Sequence, residues 1–415
     1  MTNNHGRPSG GPYDVPNSAP NNAPANVSRV QQRALIVGIA FTLLLLVGFV
    51  LDRNQFFQSY LFAFSFWAGI SVGALALLML QHMTGGGWGF VIRRVLEAAT
   101  RTLPLMLILF VPIVLGAHRI YEWTDAHEIA EHPVLQEKSK YLNLPFFTVR
   151  AAIYFAVWLA LAYFLNRWSL LQDRTADRKY GKNMRVLSGP GMVLFVFTVS
   201  FASIDWFMSL DWEWSSTIYG FIFVAAWGLS ALAFTIAVMA ALSRHEPMSN
   251  VVGQYHFHDL GKLLLAFVML WSYFAFSQFL IIWSGNLPEE IRWYLPRIHG
   301  AWGAIALAVI VLHFAFPFLF LLSRSLKRNA GKLVIVAVLI LLMRLIDLLW
   351  MIVPNFTHKY PIGWVGVAMY VAAPIAIGGL WLAWFANALT KRALFPINDP
   401  LYETVLEQKH AHAGH

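Results

Sequence analysis

The sequence predicts an all-α integral membrane protein of ten transmembrane helices, arranged as two four-helix bundles with two peripheral helices. Three observations carry this reading. The chain is 58 % hydrophobic and only 12 % charged, where soluble domains carry about 25 % charged residues. Its apolar residues fall into segments long enough for a hydrocarbon core of about 30 Å. Its basic residues gather on one side of that succession.

In chain order, residues 1–33 open with a stretch rich in Asn, Pro, Gly and Ser, lack an apolar core and read as a disordered cytoplasmic tail. Residues 34–56 hold the first peripheral helix, Ala34–Leu51, and a short outer loop. The first bundle, 57–215, contains Phe57–Leu80, Arg101–Ile120, Phe146–Leu165 and Gly189–Leu210. Pro104 and Pro112 interrupt the second of these. The second bundle, 216–362, contains Ser216–Leu242, Leu260–Ser284, Ile298–Leu322 and Gly331–Val353. Gly363–Leu389 forms the other peripheral helix, and residues 390–415 a cytoplasmic His-rich tail. A faint internal repeat underlies the two bundles: Gly69-Ile-Ser71 matches Gly228-Leu-Ser230, and Ile204-Asp205 matches Ile346-Asp347. The separations agree if the outer loop 121–145 is an insertion in the first copy.

Most of the 30 Lys and Arg residues fall between segments that end on one side, as with Arg93, Arg94, Arg174, Lys179, Arg324, Lys327 and Arg392. The other side has few, among them Arg53, Arg119, Lys140 and Arg292, and is acidic and bordered by Trp123, Trp212, Trp214, Trp283 and Trp293. The positive-inside rule then places both termini in the cytoplasm, and the tryptophans mark the outer interface. The net charge of +9 follows from this orientation and does not argue for nucleic acid.

Cysteine is absent, which excludes Cys-ligated iron–sulfur clusters, covalent haem attachment, disulfides and thiol catalysis in this chain. His299 and His313 are spaced for two stacked haems, but no other segment offers a second pair of interior histidines, so no haem is expected. No metal site is expected either, His410, His412 and His415 lying in the tail.

An ionised carboxylate in hydrocarbon costs at least about 2.5–3.5 kcal/mol and needs a partner or a task. Asp205 and Asp347 both stand toward the outer ends of their segments. Arg344 precedes Asp347 by three residues, on the same helical face. His313 lies four residues before Pro317, whose missing N–H leaves the His313 carbonyl without its helical donor. At the cytoplasmic end of the seventh segment, His256-Phe-His258-Asp259-Leu-Gly-Lys262 offers Asp259 as a helix cap, or His258 and Asp259 as a proton entrance. Asp205, His258, Asp259, His313, Arg344 and Asp347 are therefore the candidates for proton transfer. His118, Arg150, Gln278 and His299, near the outer surface, are candidates for a quinone headgroup. Buried ties that hold helices in register are the alternative for all of them.

The run Ser203-Ile-Asp205-Trp206-Phe-Met-Ser-Leu-Asp211-Trp212-Glu213-Trp214-Ser-Ser-Thr217-Ile-Tyr219-Gly220, with His256-Phe-His258-Asp259 and Phe276-Ser277-Gln278-Phe, resembles the ten-helix membrane subunits of alternative complex III. These belong to the wider polysulfide-reductase, NrfD-like family, and the chain is more similar to the shorter of the two such subunits. The likeness extends from Ala34 to Leu389. It implies a bacterial inner-membrane complex that oxidises quinol or menaquinol and passes electrons to cytochrome c or a terminal oxidase. It also implies an NrfD-like sister subunit and partners carrying iron–sulfur clusters and multiple haem c groups, this chain holding no cofactor by itself. Two other classes stay open on the residues alone: a stand-alone ion or solute transporter built from parallel repeats, and a purely structural scaffold.

Overall fold

The computed structural model describes residues 22–357, 360–396, 398–399 and 401–402. The chain is 85 % helical, without strands among the described residues, and ten helices are long and apolar enough to cross a membrane. Helix is the natural outcome, because in hydrocarbon each backbone N–H and C=O must be satisfied within its own segment. Of the expected tail 390–415, residues 403–415, with His410, His412 and His415, lie outside the described residues.

Helix α1 runs Ala25–Leu51, so the stretch 25–33, read from sequence as disordered tail, is helical: a helix continues past its apolar run wherever no proline or glycine stops it. Helix α2 is Arg53–Thr84, started by Asp52, whose side chain accepts the Gln55 backbone N–H at 3.0 Å. The third segment is not one rod. Gly87–Thr100 forms α3, the chain bends at Arg101 and Thr102, and α4 follows at Leu103–Leu115 with Pro104 in its first turn. Pro104 suits a helix start, where its missing N–H costs nothing. Helices α5 (Leu144–Thr175), α6 (Lys179–Trp206), α7 (Tyr219–Leu242) and α8 (Gln254–Gly285) are continuous. Helix α9 spans Gly300–Leu322 and carries a π-helical stretch at Val309–Ala315. Helices α10 (Ala330–Ile352) and α11 (Trp364–Thr390) complete the set.

Helix α2 sits at the centre, its middle almost entirely buried, and packs on α3, α4, α6, α7 and α11. Helix α7 is the second central helix and packs on α2, α6, α8 and α10. The two approach backbone to backbone: a Cβ on Gly73 would stand 2.0 Å from the Trp227 carbonyl oxygen. Small residues permit such close crossings in membranes, where lipid is as apolar as any side chain and packing decides association. The two helix sets expected from the sequence thus share one continuous core. Helices α1 and α11 meet at Gly38 and Gly379, where a Cβ on Gly379 would lie 2.4 Å from the Gly38 Cα. Helix α1 presents Leu43, Leu44, Leu46, Val47 and Val50 outward, as a lipid-facing helix does. Helix α11 is more enclosed, tied to α2 by Trp67 Nε1 donating to the Pro374 carbonyl at 2.9 Å and by Trp381 Nε1 donating to Ser71 Oγ at 2.8 Å.

The loop between α4 and α5 folds into two short helices, Ala126–Glu131 and Pro133–Lys138, over the aromatic end of the molecule. Lys138 Nζ donates to the Trp212 carbonyl at 2.7 Å, and burial lowers its affinity for the proton. Tyr121 donates to the Trp206 carbonyl at 3.1 Å, and burial raises its hydroxyl well above the usual tyrosine range. The loop therefore roofs the end of α6, where Asp205 lies.

Candidate functional site

Asp205 occupies the last turn of α6 and is fully buried. On α5, Arg150 and Tyr154 are four residues apart and share one face. Arg150 Nε and Nη2 meet the two Asp205 carboxylate oxygens at 2.8 and 2.9 Å, and the Tyr154 hydroxyl donates to Oδ2 at 2.7 Å. Arg150 Nη1 donates to the Tyr141 carbonyl at 2.9 Å, and its guanidinium lies 3.8 Å from the Tyr141 ring centre. Such fork-on-fork pairing is among the strongest hydrogen-bonded arrangements available to a carboxylate. Burial and the nearby Asp205 anion push the Tyr141 hydroxyl up to about 12. The residues expected separately for protons and for quinone are here partners in one saturated ion pair between α5 and α6.

Asp347, on α10, is buried with its partner Arg344 one turn earlier, and Arg344 Nη1 donates to Asp347 Oδ2. The pair is supplied by a single helix. Arg344 Nε and Nη2 are buried with no hydrogen-bond partner among the described residues, and its guanidinium stands 5.5 Å from the Phe223 ring centre on α7. His313 is fully buried in the π stretch of α9, which packs against α10. Its ring centre is 4.1 Å from that of Trp271 on α8, and neither ring nitrogen has a partner among the described residues. Arg344 lies within electrostatic range of it. The π turn has a local cause. Pro317 cannot donate to the His313 carbonyl and its ring crowds it, so the backbone widens and the Phe316 N–H reaches Val311.

The remaining candidates do not assemble. His118 and His299 are exposed. Gln278 is buried, and its amide donates to the Tyr294 hydroxyl at 3.4 Å. Among the described residues no hydrogen bond or ion pair joins these three to one another or to Arg150. At the opposite, basic end, Lys262 Nζ lies 3.2 Å and His258 Nδ1 3.9 Å from Asp259 Oδ1. Asp259 does not cap the helix. Helix α8 starts earlier, at Gln254, and His256 Nδ1 accepts the Gly253 backbone N–H at 3.1 Å. Between His258 and Trp271 the buried face of α8 is apolar, with Leu260, Leu264 and Val268.

Two clusters escaped the sequence reading. Arg297 is fully buried at the aromatic end, donating to the Met351 carbonyl and Asn355 Oδ1, each at 2.9 Å, with its guanidinium 3.8 Å from the Trp293 ring centre. Burial brings its affinity for the proton down to about 10. At the basic end, α3 buries Arg93, Arg94 and Glu97. Glu97 accepts from Arg93 at 3.0 Å, Arg94 at 2.7 Å, Ser169 at 2.6 Å and Arg392 at 3.2 Å. Arg93 also reaches Asp399 at 2.6 Å, and Arg94 pairs with Asp173. A signal existed for this cluster: Arg93, Arg94 and Glu97 recur at helical spacing within Val91–Ala99, an otherwise apolar run.

Among the described residues no group of three His, Cys, Asp or Glu side chains is placed to hold a metal ion. No family model matches the chain, and no curated protein matches it.

Proposed function

We propose that the chain is a membrane subunit of a bacterial respiratory quinol:electron-acceptor oxidoreductase of the alternative complex III type. In this reading it binds no redox group itself and contributes a proton-transfer step beside the electron-carrying partners, with both termini cytoplasmic. The observation that carries it is the Arg344–Asp347 pair beside His313. A carboxylate with one arginine contact, near a buried histidine and an arginine with spare N–H groups, has opposing influences on its charge. Desolvation disfavours the ion and the guanidinium favours it. Such a group takes up or gives up a proton when a nearby charge changes, which a relay requires. Asp205, held by three donors, suits a fixed negative charge.

The path runs from the basic end outward, through His313 to Asp347. His258 and Asp259 collect protons at the basic end, and the apolar face of α8 between them and Trp271 sets the barrier such a path has to cross. Quinol itself is assigned to the interface with the sister subunit, since His118, Gln278 and His299 do not converge.

The test is Asp347→Asn in the assembled complex, which preserves shape and removes titration. Proton release coupled to quinol oxidation falls at least about tenfold, corresponding to roughly 1.4 kcal/mol. Unchanged turnover and proton release in an assembled variant would remove the pair from any proton path.

A further inference from the structure

The basic end of the molecule holds a feature that proton transfer does not use. Between α4, α5 and α11 opens a cleft of about 700 Å³, into which Arg101, Arg167, Lys391 and Arg392 project. No carboxylate lines it. Arg392 is already engaged by Glu97, 3.2 Å away, and lies 3.3 Å from Asn166 Oδ1. The other three cations have no carboxylate partner among the described residues. Arg101 Nη1 donates to the Ala388 carbonyl at 3.0 Å, and Arg167 Nη1 to the Tyr163 hydroxyl at 2.5 Å. The buried network behind the cleft is balanced within itself, Arg93, Arg94 and Arg392 against Glu97, Asp173 and Asp399. It leaves Arg101, Arg167 and Lys391 as uncompensated positive charge among the described residues.

The rest of the cleft is apolar and faces outward from the bundle. Pro104 and Trp384 are exposed and Leu159 is half-buried. Trp384 Nε1 donates to the Arg101 carbonyl at 2.9 Å, which fixes the indole at the level of the cations, as tryptophans sit at a membrane interface. A small soluble anion needs the cations alone. The apolar wall continuous with the lipid-facing surface suits a molecule with hydrocarbon chains. We propose that this cleft binds the headgroup of an anionic phospholipid, its phosphate between Arg101, Arg167 and Lys391 and its acyl chains along Pro104, Leu159 and Trp384. Basic groups near an anionic lipid surface are worth about 1 kcal/mol each, or about fivefold in affinity per charge.

The test is native mass spectrometry of the full chain in detergent with equal phosphatidylglycerol and phosphatidylethanolamine. The wild-type chain retains phosphatidylglycerol preferentially. Arg101→Gln/Arg167→Gln/Lys391→Gln loses that adduct by more than about tenfold. The equally charged control Arg174→Gln/Arg178→Gln/Lys182→Gln, exposed residues around the junction of α5 and α6, keeps it. Lys391→Gln alone, an exposed residue, loses about fivefold and covers the case in which the triple variant does not fold. Equal retention by the wild type and these variants, equal retention of the two lipids, or displacement by millimolar inorganic phosphate would overturn the assignment, the last identifying a site for small anions.

Discussion

The two halves of the molecule each bury one aspartate near the aromatic end and treat it differently. In the first half, Arg150 and Tyr154 come from a neighbouring helix and satisfy Asp205 with three hydrogen bonds, under the roof of the loop between α4 and α5. In the second half, the arginine comes from the same helix as Asp347, one turn away, and keeps two nitrogens unpartnered among the described residues. The difference concerns coordination, since both carboxylates are buried. A pair that bridges two helices is a tie whose removal separates them. A pair within one helix ties nothing together, and its charge remains open to influence from α7, α8 and α9. The other fully buried arginine of that half, Arg297, instead gives Nη2 to the Met351 carbonyl of α10 and to Asn355 Oδ1 just beyond that helix.

The largest expected effect tests the tie. Asp205→Asn or Arg150→Gln leaves a buried charge without its partner and destabilises the chain by about 3–5 kcal/mol, read as a loss of unfolding midpoint in detergent. A shift no larger than that of Asp347→Asn would erase the contrast between the halves. Next comes Asp347→Asn itself, with its roughly tenfold loss in coupled proton release and a smaller stability change, because the amide oxygen can still accept the single Arg344 contact, whereas at position 205 one acceptor oxygen and an NH2 group face three donors. Adding Arg344→Gln sharpens the point. If the two groups act as a unit, the double variant is milder than the sum of the singles, and simple additivity in turnover would show that they act separately. The smallest effect is expected at the π turn. Pro317→Ala restores a donor for the His313 carbonyl, adding about 1 kcal/mol of stability while shifting the histidine ring away from Trp271. A drop in stability, or unaltered Trp271 fluorescence, would remove Pro317 as the cause of that geometry.

Much of the architecture was legible because membrane crossing constrains sequence strongly. Apolar length marked each crossing segment, and a proline stands at each of the two irregular ones, although Pro112, expected to interrupt the third segment, lies inside α4, and Pro190 and Pro374 lie inside helices that continue through them. Pro104 stands where α4 begins and Pro317 just beyond the π stretch. Helix ends were less legible. Helices α5, α6 and α8 run several residues beyond their apolar cores into polar sequence, where a hydrophobic criterion has nothing to detect. Tyr60 and Phe64 on α2 stand at the same spacing from Tyr219 and Phe223 on α7 as Gly69 does from Gly228. Phe64 packs against Trp206 beside one aspartate, with ring centres 6.0 Å apart, and Phe223 lies beside Arg344, the partner of the other.

By itself the sequence determined that this chain is helical and crosses a membrane ten times, because hydrophobic length and backbone satisfaction are properties of single segments. It also determined the Arg344–Asp347 pair, because residues three apart on a helix are neighbours in any fold. Only the tertiary structure decided that Arg150 belongs to Asp205, that Arg93, Arg94 and Glu97 of α3 join Ser169, Asp173, Arg392 and Asp399 in one buried network, and that Arg101, Arg167 and Lys391 share a cleft. Each of those joins groups from different helices, and which helices meet is fixed by packing at positions such as Gly73 against Trp227 and Gly38 against Gly379, far from the charges themselves.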